Sequence, residues 1–141
     1  MVPDSSDEAL SNVQILLVED EPLNTTLTIA MLATLGIRNV HCAISWHDLA
    51  AKLDGLPPLN LIFLDIRLPD VDGYVILEKL RADARFKDVP IVALTAQVMP
   101  DNVARAEFSG FNGFLAKPLN FDHFPDAIRR LLRGESVWET R

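Results

Sequence analysis

Short apolar runs alternate along this chain with segments of helical periodicity, and this alternation limits the folds that the chain can adopt. Each run is bounded by turn-forming or charged residues, as is typical of a buried strand. The five predicted strands are 13–18, 39–43, 61–65, 89–94 and 113–116. Apolar residues recur every three or four positions in the remaining segments, which predicts five helices beginning near Pro22, Ser45, Tyr74, Pro100 and Phe121.

Strict alternation of strands and helices predicts a parallel sheet covered by helices on both faces. With right-handed crossovers, we expect an α/β fold: a doubly wound, five-stranded parallel sheet in the flavodoxin-like order 2-1-3-4-5, with five helices. A dinucleotide-binding Rossmann domain is the competing fold, but no G-x-G-x-x-G follows the first strand. The sequence also lacks the G-x-x-x-x-G-K-[ST] motif of a P-loop nucleotide hydrolase.

Composition narrows the class of protein further. A length of 141 residues, 49% of them hydrophobic, suits one domain with its own core. The net charge of −7 argues against nucleic-acid binding, because the phosphate backbone requires a basic surface. No apolar run approaches the roughly 18 residues of a membrane span, and the acidic N-terminus is unlike a secretory signal. We therefore expect a soluble, cytoplasmic domain, in which the single cysteine, Cys42, is a buried and unreactive thiol.

The chain divides into three predicted segments. Residues 1–11 are polar and acidic and are expected to form a disordered lead-in. Residues 12–133 contain every predicted strand and helix, so they form the domain. Residues 134–141 are expected to be a C-terminal tail.

Three carboxylates are predicted to meet at one edge of the sheet. Asp65 ends the third strand, where Leu-Pro-Asp-Val-Asp-Gly follows, and Glu19 and Asp20 end the first. These two strands are neighbours in the expected order, and ligands bind at the carboxyl edge of such sheets. Carboxylates repel one another unless a cation lies between them, and oxygen ligands favour Mg²⁺ before Ca²⁺. The alternatives are a turn-forming aspartate at Asp65 and a solvated acidic helix start at 19–21.

Two further polar residues end the fourth and fifth strands, Thr95 and Lys117. An aspartate carboxylate can attack phosphorus and form an acyl phosphate. Phosphoryl transfer needs mainly positioning and charge neutralisation, which a metal would supply on one side and Lys117 on the other. The Thr95 hydroxyl would donate to a phosphoryl oxygen. Each residue alone is also explained as an ordinary strand-end threonine or surface lysine.

The chain from about 13 to 132 resembles the receiver domain of response regulators, the phospho-acceptor module of two-component signalling. The matching stretches are Leu-Leu-Val-Glu-Asp-Glu-Pro-Leu-Asn, Leu-Ile-Phe-Leu-Asp-Ile-Arg-Leu-Pro-Asp-Val-Asp-Gly, Ile-Val-Ala-Leu-Thr-Ala and Gly-Phe-Leu-Ala-Lys-Pro-Leu. All four occur in the family's order. One departure is Glu19, where aspartate is more usual in the family.

The resemblance implies a role for each matching residue. Asp65 is the implied phosphorylation site, Asp20 the direct ligand of Mg²⁺, and Glu19 a ligand acting through water. The backbone carbonyl of Arg67 completes the implied metal site, and Lys117 binds phosphate. The remaining implied roles are the switch residues Thr95 and Phe114, the cis peptide Lys117–Pro118, and the side chains tuning the attack of water, Arg67 and Gln97.

The resemblance also implies the reaction and the partners. A phosphohistidine on a sensor histidine kinase or a phosphotransfer protein donates its phosphoryl group to Asp65, and the domain slowly dephosphorylates itself. Donor docking is expected at the start of the first helix, 22–26. A homodimer partner or downstream target is expected on the face formed by residues 100–109, 113–116 and the last helix.

Two other functions are weighed against this one. A phosphohydrolase of the haloacid-dehalogenase type needs a second aspartate two residues after the first, and Arg67 occupies that place. A receiver-like binding module that never accepts phosphate usually lacks one of the key residues, and none is missing here. Because only nine residues follow Leu132, we expect a single-domain regulator or a receiver cut from a longer chain such as a hybrid kinase.

Overall fold

The computed structural model describes residues 10–139 and shows six parallel strands in the order β2-β1-β3-β4-β5-β6. The strands are β1 Gln14–Val18, β2 Asn39–Ala43, β3 Leu61–Asp65, β4 Ile91–Thr95, β5 Gly113–Ala116 and β6 Val137–Glu139. The helices are α1 Pro22–Ala33, α2 Trp46–Lys52, α3 Gly73–Arg81, α4 Pro100–Ser109 and α5 Phe124–Leu132, with a 3₁₀ turn at Leu53–Gly55. The predicted fold class, its five helices and the order of the first five strands are confirmed.

Helices cover both faces of the sheet and define two apolar clusters. On one face α1 and α5 pack on alternate strand residues such as Leu17 and Phe63. On the other face α2, α3 and α4 pack on the intervening residues, such as Leu64 and Phe114. Strands β1, β3 and β4 are almost fully buried, because parallel strands covered on both sides expose neither face.

The sixth strand corrects the expectation of five. The segment assigned to a tail, 134–141, contributes β6, whose residues Val137–Glu139 pair with β5. Val137 is buried, so this segment belongs to the core. No sequence pattern marks this strand, because three residues are too few to show a period.

The two ends of the chain also bear on the predicted segments. Of the lead-in, residues 1–9 lie outside the described part, but Leu10 is buried in the α1–α5 cluster and its carbonyl accepts from Val13. Residues 140 and 141 of the predicted tail are likewise outside the described part.

Cys42 is half-buried rather than buried, and burial raises the pKa of its thiol. Within residues 10–139, every helix is too short or too polar to cross a bilayer.

Candidate phosphoryl-accepting site

The ends of β1 and β3 bring three carboxylates together. One carboxylate oxygen from each of Glu19, Asp20 and Asp65 lies within 4.8 Å of the other two. Glu19 and Asp65 are only 2% and 3% exposed, whereas Asp20 is exposed to solvent. The predicted meeting of these residues at one sheet edge is therefore what the structure shows.

Lys117 supplies the positive charge of this cluster. Its Nζ lies 2.9 Å from Oδ2 of Asp65 and 3.0 Å from Oε1 of Glu19. Burial lowers the pKa of the ammonium, but the hydrogen bonds to Asp65 and Glu19 outweigh it and raise the pKa above its ordinary value. Lys117 therefore stays protonated and can hold an anionic group beside Asp65.

The pKa of the Glu19 carboxyl is also raised, but here the main cause is burial. Burial raises the pKa of its carboxyl, and the Lys117 hydrogen bond offsets this only in part. Its second oxygen accepts the backbone N–H of Glu21 at 3.1 Å. Both oxygens of Glu19 are thus already held, while the carboxylate of Asp20 faces solvent.

The donor set suits a hard divalent cation. Three carboxylates outnumber the one ammonium that pairs with them, so the cluster is negative overall. Oxygen ligands that include an exposed carboxylate match the preference of Mg²⁺, which keeps several waters when bound. Glu19, Asp20 and Asp65 are the residues that would hold it.

Local backbone contacts fix the orientation of Asp65 and Thr95. The amide of Arg67 donates to Oδ1 of Asp65 at 2.9 Å, which leaves Oδ2 facing Lys117. The amide of Gln97 donates to the Thr95 hydroxyl at 3.0 Å. Thr95 is 2% exposed, and Phe114 is fully buried on β5. The peptide bond between Lys117 and Pro118 is cis.

A polar cleft of about 370 Å³ opens beside Thr95, between the loop after β3 and helix α4. Arg67, Gln97 and Arg105 are among the residues that line it. The guanidinium of Arg105 lies 3.9 Å from the ring centroid of Tyr74, so α4 is tied to α3 across the cleft. The two residues proposed to tune water attack therefore face the same space.

The sequence did not indicate two residues that shape the site. Asp70, in the loop after Asp65, accepts the backbone N–H groups of Trp46 and His47 at 3.1 and 2.9 Å and so caps α2. The predicted partner surface at 100–109 includes Arg105, whereas the structure places this residue in the lining of the cleft. Only a tertiary contact reveals either role, since their partners lie more than twenty positions away.

Fold and site together define a class: a doubly wound domain with an acid pair, a third, buried carboxylate and a lysine at the carboxyl edge of its sheet. Residues 15–129 match the family of the response regulator receiver domain. The chain belongs to this family.

Named relatives come from both kinases and regulators. The chain is 36% identical over 117 residues to the osmosensing histidine protein kinase SLN1 of Saccharomyces cerevisiae, a match that covers 80% of this chain and 10% of that one. It is 36% identical over 129 residues to the response regulator Rre1 of Synechocystis, covering 89% of this chain and 54% of that one. The chain therefore spans about a tenth and about half of the length of these two relatives.

A solved structure shows the same fold with a metal. The receiver domain of the sensor histidine kinase PA1611 from Pseudomonas aeruginosa has a magnesium ion coordinated in its active-site cleft. It is 34% identical to this chain and superimposes with a TM-score of 0.73, covering 87% of this chain and 98% of that one.

Proposed function

We propose that this chain accepts a phosphoryl group on Asp65, with Mg²⁺ as cofactor, from a phosphohistidine of a sensor histidine kinase or phosphotransfer protein. The observation that carries the proposal is the pair of contacts from the Lys117 ammonium to the buried carboxylates of Asp65 and Glu19. A structural ion pair would need one carboxylate. A second and a third carboxylate nearby are expected of a site that also binds a cation.

The proposed transfer uses Oδ2 of Asp65, the carboxylate oxygen that faces Lys117. Oδ2 attacks phosphorus, a P–O bond forms, the P–N bond to the donor imidazole breaks, and the imidazole nitrogen keeps the electron pair. Mg²⁺ held by Glu19, Asp20 and Asp65 would supply positive charge to neutralise the phosphoryl oxygens. Lys117 holds another phosphoryl oxygen, and the Thr95 hydroxyl donates to a third once it turns towards it.

The proposed self-dephosphorylation reverses the modification with water. A water oxygen attacks phosphorus, the bond between phosphorus and the Asp65 oxygen breaks, and inorganic phosphate leaves while the carboxylate is restored. Arg67 and Gln97 line the cleft beside Thr95 and would restrict the positions from which that water can attack phosphorus. Thr95 and Phe114 are proposed to act as the switch, because they lie on the adjacent strands β4 and β5.

The partners are proposed from the surface. The donor would dock at the start of α1, 22–26, beside the acid pair. The cytoplasm is the proposed compartment, since a lone thiol such as Cys42 stays reduced there.

A homodimer partner or target would bind at α4 and α5, where Phe108 is 94% exposed. Sedimentation of the protein with and without beryllofluoride, a phosphoryl mimic, would test that association.

Acetyl phosphate and Mg²⁺ provide the direct test of the acceptor. We expect intact mass spectrometry to show one added phosphoryl group on the wild type and on the control Asp88→Asn, whose carboxylate is exposed and outside the cluster. Asp65→Asn should remain unlabelled. Equal labelling of Asp65→Asn and wild type would place the acceptor elsewhere, and no labelling of any of them would favour a binding module that is not phosphorylated.

A further inference from the structure

Strand β6 pairs with the edge of β5 that faces away from β4. Val137 lies opposite Gly113, Trp138 opposite Phe114, and Glu139 opposite Leu115. The inner edge of β5 pairs with β4, where Ala116 is opposite Thr95. Strand β5 therefore lies between the site and β6.

Side chains on both faces of the sheet hold β6 in place. Val137 is 2% exposed and belongs to the α1–α5 cluster. Trp138 packs against the opposite cluster, which contains Phe114. Gly113 permits the close approach, because a Cβ there would lie 2.7 Å from the carbonyl oxygen of Val137.

The turn that leads into β6 is also fixed. The Glu135 carboxylate accepts hydrogen bonds from the side chains of Arg130 at 3.1 Å and Arg133 at 3.0 Å. The backbone amide of Glu135 donates to the carbonyl of Arg130. Gly134 takes the left-handed conformation, with φ of 89°, that reverses the chain after α5. The path from α5 back to the sheet is thus determined, and β6 meets β5 in one register.

Strand β5 delivers Lys117 to the site. Lys117 follows the last residue of β5 directly, and its amide donates to the carbonyl of Thr95 at 2.8 Å. The same residue extends its ammonium to Asp65 and Glu19. A strand of four residues that is paired on both edges loses less freedom when its lysine is immobilised than one paired on a single edge.

We propose that docking of β6 on β5 and filling of the site at Asp65 are positively coupled. Docked β6 holds β5 so that the Lys117 ammonium is already placed for a phosphoryl group, and a phosphoryl group held by Lys117 in turn stabilises β6. This inference rests on the proposed function and assigns a regulation to that site. Because binding free energies are reciprocal, both directions must show the same factor.

The first measurement uses the wild-type chain with Mg²⁺ and beryllofluoride. Amide hydrogen exchange is followed in β6, and in β2, the strand at the opposite edge of the sheet, as an internal control. We expect beryllofluoride to slow exchange in β6 by about fivefold or more, the lower end of typical couplings. Exchange in β2 should stay unchanged.

The second measurement compares affinities for beryllofluoride by calorimetry at fixed Mg²⁺. Trp138→Ala removes the indole beside Phe114. Trp46→Ala is the matched control, since Trp46 is also partly buried but begins α2, between strands β2 and β3. We expect about fivefold weaker binding by Trp138→Ala and wild-type affinity for Trp46→Ala.

The outcomes separate this inference from the proposed function. Binding by wild type with no change in β6 exchange and equal affinity for Trp138→Ala overturns the coupling and leaves the acceptor role intact. Failure of wild type to bind beryllofluoride overturns the acceptor role itself. If circular dichroism shows that Trp138→Ala does not fold, the exchange measurement on wild type decides alone.

Discussion

Asp65 and Lys117 are 52 positions apart in the chain, yet Oδ2 of the one lies 2.9 Å from Nζ of the other at the edge of the sheet. The Asp65 side chain is 5% exposed and that of Lys117 16%, so the pair is only weakly screened by water. Removing Lys117 would leave the buried carboxylates of Asp65 and Glu19 without their shared countercharge, which is strongly destabilising. In the proposed transfer, an incoming phosphoryl group would replace one anionic partner of Lys117 with another, so the ammonium would stay paired.

Metal affinity should depend more on Asp20 than on Glu19. Asp20 is exposed, whereas both oxygens of Glu19 already accept hydrogen bonds from Lys117 and Glu21. We expect Asp20→Ala to weaken Mg²⁺ binding by about tenfold or more and Glu19→Gln to weaken it less. Calorimetric titration with Mg²⁺ measures both, with Asp88→Ala as the control. Unchanged binding by Asp20→Ala would contradict the proposed metal site.

The side chains of Arg67 and Gln97 should set the lifetime of the phosphorylated form. Both line the cleft beside Thr95, where long side chains exclude water from phosphorus. We expect Arg67→Ala and Gln97→Ala to shorten the lifetime severalfold without lowering the melting temperature. Loss of the label with time after removal of acetyl phosphate is the readout. Arg38→Ala, at an exposed arginine, is the control, and identical decay in all four proteins would refute the role.

The sequence was sufficient to predict which residues meet at the carboxyl edge of the sheet, because each of them ends a strand. Asp65 follows four apolar residues and precedes a proline and a glycine, so its position on the sheet is read from local signals. Parallel strands then bring Glu19 and Asp20 to the same edge, since all strands end there. The family's motifs added the role of each residue. Spacing alone left two interpretations of the acidic residues open, a functional site or a solvated helix start.

The parts that escaped prediction depend on contacts between distant segments. The pairing of Trp138 with Phe114 joins a three-residue strand to β5, and no local pattern marks it. Asp70 caps a helix that begins 24 positions earlier, although its own surroundings read only as a turn. Such contacts depend on three-dimensional packing, which overrides what a short window of residues can specify.

Arg81 should contribute strongly to stability although it lies outside the site. Its guanidinium donates to the carbonyls of Phe86 and Val89, at 3.2 and 2.7 Å, and to Oδ1 of Asn112, which also accepts the amide of Ile91 at the start of β4. Arg81→Met would remove these three charge-assisted hydrogen bonds, although Asn112 and Phe86 would still accept the amides of Ile91 and Val89. We expect the free energy of unfolding to fall by about 2–3 kcal/mol.

Urea denaturation of Arg81→Met beside the exposed control Arg38→Met measures this effect. Because Arg81 ties the end of α3 to the connections before β4 and β5, the loss should appear in the unfolding midpoint with little change in slope. A midpoint for Arg81→Met that matches Arg38→Met would show that water replaces the guanidinium without cost.

The last prediction concerns where the phosphodonor docks. An apolar groove of about 310 Å³ runs between α1 and the loop after β5, and Asn24, Leu27 and Phe121 line it together with Lys117. Leu27 and Phe121 are 51% and 63% exposed, so the groove offers apolar surface beside the ammonium that holds Asp65. A donor whose histidine must approach Asp65 in line would cover this surface.

Asn24→Arg tests this docking, because it places a long charged side chain in the groove without touching the acid cluster. Ala104→Arg is the matched control, since it adds the same side chain at an exposed position of α4. We expect Asn24→Arg to slow phosphotransfer from a phosphohistidine donor by about tenfold or more, while labelling by acetyl phosphate is unchanged. Ala104→Arg should leave both reactions at the wild-type rate. Slower transfer to Ala104→Arg with normal transfer to Asn24→Arg would move the donor to the α4 face, because each variant differs from wild type only on its own surface.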